Sequence, residues 1–299
     1  MPATLSPLRY PGGKTKFYSY VKTLMSCNEL IGQTYIEPFA GGAGLAIKLL
    51  LNNDVKRIVI NDFDQSIYSF WYSVLHHTDD FCELIFKTEV SIPEWQNQRE
   101  IYFQQDITKQ LELGFATFFL NRTNVSGVIK GGIIGGIEQT GAYPIDARFN
   151  KKNLIYKIQE IASKKEQIII SNLDAQEFLQ PQHLRQFYKS FINFDPPYVK
   201  KGAKLYKNSF TESDHRALSQ KISQCGRKWI VTYDVCPLIA ELYSDYRYSY
   251  LDLTYSVNGS KKAQEYIFFS NNLVIPEEEK LSITMPKVTT TSVFETVTG

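Results

Sequence analysis

Thr34-Tyr-Ile-Glu-Pro-Phe-Ala-Gly-Gly-Ala-Gly44 and Arg57-Ile-Val-Ile-Asn-Asp62 are the stretches whose reading decides the fold. The first begins as a short strand and runs into a glycine turn. Ala43 to Asn52 follows as a strongly apolar helix carrying Leu45, Ile47, Leu49, Leu50 and Leu51, and the second stretch is a buried-type strand ending in an acid. Strand, turn, helix, strand is one βαβ unit. Glycines let the backbone approach a ligand, and the helix N-terminus offers free N–H groups. Asp62 lies 18 residues beyond Gly44, a spacing that suits a carboxylate accepting hydrogen bonds from ribose hydroxyls. The dinucleotide fingerprint fails at its last position, because the sixth residue of Gly42-Ala-Gly-Leu-Ala-Ile47 is Ile in place of Gly or Ala. Taken alone, the turn serves equally as a tight connection without a ligand. Asp62 alone reads as a helix cap, with Asp64 and Ser66 beside it.

Outward from this unit, Gln65 to His77 reads as a helix, and Asp79 to Leu120 is mostly helical with aromatic anchors. Asn121 to Phe149 changes character, holding six of the chain's 17 glycines, and reads as a loop or hairpin. Lys151 to Ala162 returns to helix. Strands are expected at Gln167–Ser171, Ser190–Phe194 and Lys228–Tyr233, with helices at Leu184–Tyr188 and Asp214–Cys225. Arg247–Tyr255 and Glu265–Ser270 read as a closing antiparallel pair. The pattern predicts an α/β protein with a mixed sheet. Residues 1–75 and 166–275 form a discontinuous core, 76–165 an inserted, mostly helical region with a Gly-rich hairpin or loop, and 276–299 a poorly ordered tail.

Composition limits the function classes. The chain has 299 residues, 43% hydrophobic and 21% charged, which is an ordinary globular composition. The formal net charge of +2 argues mildly against a passive polyanion binder, but the charge is unevenly placed. Residues 1–22 hold four bases and no acid, residues 115–165 eight bases and three acids, and residues 199–228 eight bases and two acids. Cys27, Cys82, Cys225 and Cys236 form no C-x-x-C pair, which disfavours a zinc ribbon and a disulfide scaffold. No apolar run approaches the ~20 residues that span a bilayer, and Met1 to Lys16 lacks an apolar signal core. A cytoplasmic protein without membrane attachment is expected. The four histidines show no metal-ligand grouping, so no metal is expected.

Asn193-Phe-Asp-Pro-Pro-Tyr198 is the most specific stretch. Pro196 and Pro197 cannot donate to a sheet, so they end the strand, and they hold the preceding backbone outside the helical region. A carboxylate and exposed carbonyls are left at a strand's C-terminal end, where open α/β sheets bind ligands. Asp195 and the Pro196 carbonyl provide two acceptors for an amino group, and Tyr198 provides a flat face for a planar base. A plain turn before a surface helix is the competing interpretation.

Together these stretches resemble the Dam-type, class alpha family of DNA adenine N6-methyltransferases, over roughly residues 8 to 270. Leu8-Arg-Tyr-Pro-Gly-Gly-Lys14 is similar to the family's first AdoMet motif, Glu37 to Gly44 to its glycine motif and Asp62 to its ribose acid. Ser171-Asn-Leu-Asp174 is similar to the motif at the AdoMet adenine, and Asp195 to Tyr198 to the catalytic motif. Phe118–Arg122, Asn208–Thr211, Val231-Thr-Tyr-Asp234 and Asn258–Lys262 match as well, in the family's order.

The resemblance implies S-adenosyl-L-methionine (AdoMet) as cofactor, S-adenosyl-L-homocysteine as product and double-stranded DNA as partner. Tyr10, Lys14, Glu37, Pro38, Phe39, Gly42, Gly44, Asp62, Asp174 and Asp195 would hold the cofactor. Asp195, Pro196, Pro197 and Tyr198 would be catalytic. A flipped adenine stacks on Tyr198, its N6 amino group bonded by Asp195 and the Pro196 carbonyl, for in-line transfer without a covalent enzyme intermediate.

DNA contacts are expected from Arg9, Arg122, Asn124, Ser126, Lys130, Arg148, Lys200, Lys201, Asn258, Lys261 and Lys262, with Gln139 beside them in the target-reading insert. The insert departs from GATC-specific members: Val125 stands at the position of an intercalating aromatic, Lys130 at that of a base-contacting Arg, and a Phe-Asn-Val-Pro-Phe stretch is absent. GATC is therefore not assigned. A cognate restriction endonuclease or defence system and association with the nucleoid complete the expectation. The rivals are an NAD-dependent oxidoreductase, a non-catalytic DNA-binding relative, and the same fold acting on cytosine N4, RNA or protein glutamine.

Overall fold

The computed structural model describes residues 5–9, 17–199, 210–255, 261–276 and 289–290. In chain order the elements begin with helix α1 (Tyr18–Cys27), strand β1 (Thr34–Glu37), helix α2 (Gly44–Leu51), strand β2 (Arg57–Asn61) and helix α3 (Gln65–His76). Helices α4 (Thr78–Lys87), α5 (Ile92–Gln104), α6 (Gln110–Thr123) and α7 (Lys151–Ala162) precede strand β3 (Ile168–Ser171). Then come α8 (Ala175–Phe178), α9 (Pro181–Leu184), β4 (Ser190–Phe194), α10 (Glu212–Gln224), β5 (Lys228–Asp234), α11 (Pro237–Leu242), β6 (Arg247–Tyr255), β7 (Lys261–Phe269) and β8 (Thr289–Thr290). The chain divides into two compact units, Met1–Tyr18 with Gly32–Phe178 and Ser19–Ile31 with Leu179–Gly299.

In the first unit, β1 pairs parallel with β2 and β2 with β3. The βαβ reading of residues 34–62 holds. Helix α2 buries Leu45, Ala46, Ile47, Leu49 and Leu50, and each buried leucine contributes about 2 kcal/mol. Helices α3, α4 and α6 share an aromatic core in which Phe70 stacks on Phe118 at 6.1 Å and Phe81 meets Phe118 edge-on at 5.5 Å. Phe149 closes over Phe118 and Phe119 at 5.5 and 5.4 Å. Gly114 lets α6 pass against α3, since a Cβ there would lie 2.5 Å from the Ser69 carbonyl.

The second unit contains β4 and β5 in parallel, followed by antiparallel β5–β7, β7–β6 and β6–β8 pairs. Helix α1 contributes buried Tyr20, Val21, Leu24 and Met25. It is tied down through Asn28, whose Nδ2 donates to the Val274 carbonyl at 2.7 Å while Oδ1 accepts from Val274 N at 2.8 Å. Thr211 and Asp214 form a capping box that starts α10. Parallel strands joined through helices, with an antiparallel pair beyond them, make this an α/β, Rossmann-like fold with a mixed sheet.

Three local expectations change. The helix expected at Leu184–Tyr188 starts earlier, at Pro181, a residue preorganised for a first helical position; Arg185–Phe187 is a 3-10 turn. Helix α6 runs to Thr123, three residues into the stretch expected as loop, because Asn124 N still bonds the Leu120 carbonyl at 2.8 Å. Thr289 and Thr290, expected in a poorly ordered tail, pair with Tyr250 and Ser249. Among the described residues no helix is long and apolar enough to cross a membrane, and no group of His, Cys, Asp or Glu is arranged to hold a metal ion.

Candidate active site

In the first unit the C-terminal ends of β1, β2 and β3 converge on one buried amide. Asn61 Nδ2 donates to the carbonyls of Pro38 at 3.0 Å and Leu173 at 2.9 Å. Its Oδ1 accepts from Ser171 Oγ at 2.8 Å and Leu173 N at 2.9 Å. All four bonds of which the amide is capable are made, so three loop starts are fixed by one side chain.

The glycine turn is pinned on the same edge. Ala40 N donates to the Asn61 carbonyl at 2.9 Å, the Gly41 carbonyl accepts from Trp71 Nε1 at 2.9 Å, and the Gly42 carbonyl accepts from Ser6 Oγ at 2.5 Å. Gly41 and Ala43 adopt φ of 46° and 45°, a left-handed pair that turns the chain sharply into α2. Pro38, Gly41 and Gly42 are buried and Phe39 and Gly44 half-buried. Glu37 is buried and accepts from the Tyr35 hydroxyl at 3.0 Å.

Asp62 is half-buried and rigid. Its Oδ2 accepts from Gly41 N at 2.7 Å and its Oδ1 from Asp64 N at 2.9 Å. Burial pushes the carboxyl up to about 7, against those two N–H donors, which pull it down. Asp64 takes the capping role, accepting from Ser66 N and Ser66 Oγ at 2.9 and 2.6 Å, so Asp62 is not the helix cap. Phe63, absent from the sequence expectations, is 56% exposed beside Asp62, and Asn172 Nδ2 donates to the carbonyls of Asp62 at 2.7 Å and Phe63 at 3.1 Å. Asp174 accepts from Gln176 N at 2.8 Å as the start of α8.

In the second unit, β4 is buried along its whole length, from Ser190 to Phe194, and Asp195 follows its last residue. Asp195 Oδ1 accepts from Thr232 Oγ1 at 2.8 Å and lies 3.0 Å from the Tyr198 hydroxyl. That hydroxyl donates to Glu265 Oε2 at 2.7 Å. Val199 N donates to Asp234 Oδ1 at 3.0 Å, which holds the chain leaving the double proline. The Tyr198 ring packs at 6.2 Å from Tyr233, whose hydroxyl shares a 2.9 Å bond with His215 Nδ1. The Val231–Asp234 stretch thus braces the Asp195–Tyr198 corner through three consecutive side chains. Glu265 had no signal beyond its place in an apolar strand.

Of the residues expected to contact DNA, Arg122, Asn124, Ser126, Lys130 and Arg148 lie within residues 76–165, and Arg9 packs against them. Asn121 Oδ1 accepts from Arg9 N at 2.7 Å, and its Nδ2 donates to the Arg9 and Gly127 carbonyls at 2.8 Å each. Gly127 is required there, since a Cβ would lie 2.3 Å from the Arg9 carbonyl at φ +76°. Arg9 Nη1 donates to the Asn124 carbonyl at 3.0 Å, and Arg122 donates through Nε to the Arg148 carbonyl at 2.7 Å and through Nη2 to the same oxygen. Burial, together with Arg9 and Arg148, pushes the Arg122 guanidinium down to about 10. Among the described residues no carboxylate pairs with these three arginines. Arg148 is exposed over the ring of Tyr143, Lys130 is exposed, and Ser126 sits half-buried with φ 57° at a turn whose tip is Val125, 53% exposed.

Two expected contacts are corrected. Asn124 is fully buried: its Oδ1 accepts from Trp95 Nε1 at 2.7 Å and its Nδ2 donates to the Val128 and Ile129 carbonyls at 3.1 and 2.7 Å. Gln139 donates to the Ile134 and Gly136 carbonyls at 2.8 and 2.6 Å and accepts from Ile145 N at 2.8 Å, so it braces the glycine loop. Tyr10, Lys14, Lys200, Lys201 and Asn258 lie outside the described residues. Lys261 and Lys262 open β7 opposite Tyr255 and Thr254, and their side chains lie outside the described part.

Comparison with known proteins gives a family match over residues 10–257, to the D12 class N6 adenine-specific DNA methyltransferases. The Type II methyltransferase M.MjaIII of Methanocaldococcus jannaschii is 24% identical over 225 residues, 69% of this chain and 73% of that protein. Among solved structures, a candidate RNA methyltransferase of Pyrococcus horikoshii aligns over 90% of this chain and 89% of its own, at 11% identity and a TM-score of 0.42. An rRNA methyltransferase from Streptomyces viridochromogenes aligns over 87% and 85%, at 11% identity and a TM-score of 0.32.

Proposed function

The chain belongs to the D12 class of N6 adenine-specific DNA methyltransferases, and from that premise we propose that it transfers the methyl group of AdoMet to N6 of an adenine swung out of double-stranded DNA, with release of S-adenosyl-L-homocysteine and one N6 proton. The observation that carries the reading is the anchoring of Asp195 at the end of a buried strand by Thr232, with Tyr198 at 3.0 Å. An exocyclic amino group needs in-plane acceptors for its hydrogens, and Asp195 and the Pro196 carbonyl are those acceptors. With both N–H bonds accepted, the nitrogen lone pair is aimed out of the base plane. The Tyr198 ring is the stacking surface that holds that plane. A preorganised acceptor pair costs no reorganisation when charge develops on N6.

AdoMet supplies an electrophilic sulfonium methyl, and the first unit carries a donor set that fits it. A carboxylate has about four lone-pair sites. Asp62 uses two of them on Gly41 N and Asp64 N, which leaves capacity for the ribose diol. Phe63 offers an apolar face for the cofactor's adenine beside it, and buried Glu37 supplies negative charge suited to the cationic methionine end. Phe39, Pro38, Gly42, Gly44 and Asp174 keep their proposed cofactor roles, as do Tyr10 and Lys14.

Residues 76–165 are proposed as the target-recognition insert, on a core of 1–75 and 166–275. Arg9, Arg122 and Arg148, which pair with no carboxylate among the described residues, suit DNA phosphates, with Lys130, Ser126, Lys200, Lys201, Asn258, Lys261 and Lys262 as further contacts. A cytoplasmic location, association with the nucleoid and a cognate restriction endonuclease or defence system belong to the same proposal. The test is incubation of purified protein with AdoMet and mixed-sequence duplex DNA, followed by mass spectrometry of the nucleosides. N6-methyladenine is expected. N4-methylcytosine, or methylation of RNA alone, refutes the assignment.

A further inference from the structure

Glu265 stands on β7 opposite Asp234 of β5 and Leu251 of β6, with no exposed surface. Burying a carboxylate costs several kcal/mol unless hydrogen bonds replace its water. Its Oε2 accepts from the Tyr198 hydroxyl at 2.7 Å, and the same hydroxyl lies 3.0 Å from Asp195 Oδ1. A phenol has one proton, and the shorter bond assigns it to Glu265. Asp195 Oδ1 is in turn held by Thr232 Oγ1 at 2.8 Å. The far end of the Tyr198 ring is therefore tethered, and the ring becomes a two-point attachment in place of a rotor pivoting on its Cβ.

We propose that Glu265 is a positioning residue for the acceptor base: through the Tyr198 hydroxyl it sets the tilt of the stacking ring, and with it the seat of the amino group at Asp195. The inference rests on the methyltransferase reading and goes beyond it by adding a residue that touches neither cofactor nor base. Misplacing reacting atoms by about 1 Å costs on the order of 100-fold in rate, so loosening this ring lowers turnover more than it alters binding.

The test compares Glu265→Gln, Tyr198→Phe and the double variant in methyl transfer to duplex DNA, with AdoMet affinity by calorimetry and thermal melting alongside. Glu265→Gln keeps the shape and replaces the carboxyl with a weaker amide acceptor; Tyr198→Phe keeps the ring and removes the bond. Each single variant is expected to lower kcat at least tenfold, with AdoMet Kd within twofold. In the Tyr198→Phe background, Glu265→Gln is expected to change kcat less than threefold, because the bond it weakens is already gone. A merely structural role would slow turnover equally in both backgrounds, and that result overturns the proposal, as does wild-type kcat in either single variant. If Glu265→Gln does not fold, Tyr198→Phe decides: an unchanged kcat overturns the inference. An inactive wild-type protein overturns the methyltransferase reading and the inference together; an active wild type with equally active variants overturns the inference alone.

Discussion

Replacing Thr232 with Val removes one hydroxyl from the Asp195 corner and almost nothing else. The side chain is fully buried on β5, Val has nearly the same volume, and β-branched residues suit strands. The interactions lost are the 2.8 Å bond from Oγ1 to Asp195 Oδ1 and a longer, 3.3 Å contact of the same hydroxyl with the Phe194 carbonyl; the shorter one carries the effect. A hydrogen bond to a charged group is worth about 1.5–3 kcal/mol. If that loss appears wholly at the transition state, it corresponds to a roughly 10- to 150-fold fall in kcat. The first unit, with Asp62 and the glycine turn, is untouched, so AdoMet Kd stays within twofold. The assay is single-turnover methyl transfer at saturating AdoMet and DNA, with calorimetry for the cofactor and Thr232→Ser as the control that restores the hydroxyl. Turnover of Thr232→Val within twofold of wild type, or a Thr232→Ser variant as slow as Thr232→Val, would refute the claim that an anchored Asp195 carries the chemistry.

The Asp62 carboxyl, raised to about 7 chiefly by burial, must be ionised to accept both ribose hydroxyls, so AdoMet affinity falls by up to tenfold per pH unit below about 7; calorimetry across pH 5.5 to 8 checks this, and Asp62→Asn should flatten the profile. The same raised value means that the folded state holds this proton more tightly than the unfolded chain. Its contribution to stability is thus present below the unfolded value and lost as pH rises through about 7, opposite in direction to cofactor binding. Arg148→Ala, at an exposed side chain whose carbonyl and not its guanidinium holds Arg122, should weaken DNA binding across all sequences and reduce the salt slope by about 1, with little change in melting temperature. Asn124→Ala removes the partner of Trp95 Nε1 and the bond to the Ile129 carbonyl, while the Val128 carbonyl keeps Gly131 N at 2.8 Å; it should cost on the order of 3 kcal/mol, read as a fall in denaturation midpoint.

What the sequence made legible is what local chemistry dictates. The apolar run of α2, the glycine turn, and the prolines that stop β4 all act on their own neighbours, so their elements are read within a residue or two. Side chains whose partners arrive from far along the chain were not legible. Asn61 joins loops more than a hundred residues apart, and Glu265 meets Tyr198 across 67 positions. Asn124 shows the opposite error: a polar residue in a glycine-rich stretch suggests a surface contact, yet it is buried because a distant tryptophan and two local carbonyls take up three of its four hydrogen-bonding positions. The Asp64 cap was open to reading, since Asp-x-Ser at a helix start is a local signal, and it is what leaves Asp62 available.

The most direct test of the central claim is single-molecule sequencing of DNA from cells that express this chain, beside cells expressing Asp195→Ala. The account predicts N6-methyladenine in one recurring sequence context with the wild-type chain and none above background with the variant. Unmethylated DNA in both, or equal methylation in both, would contradict it.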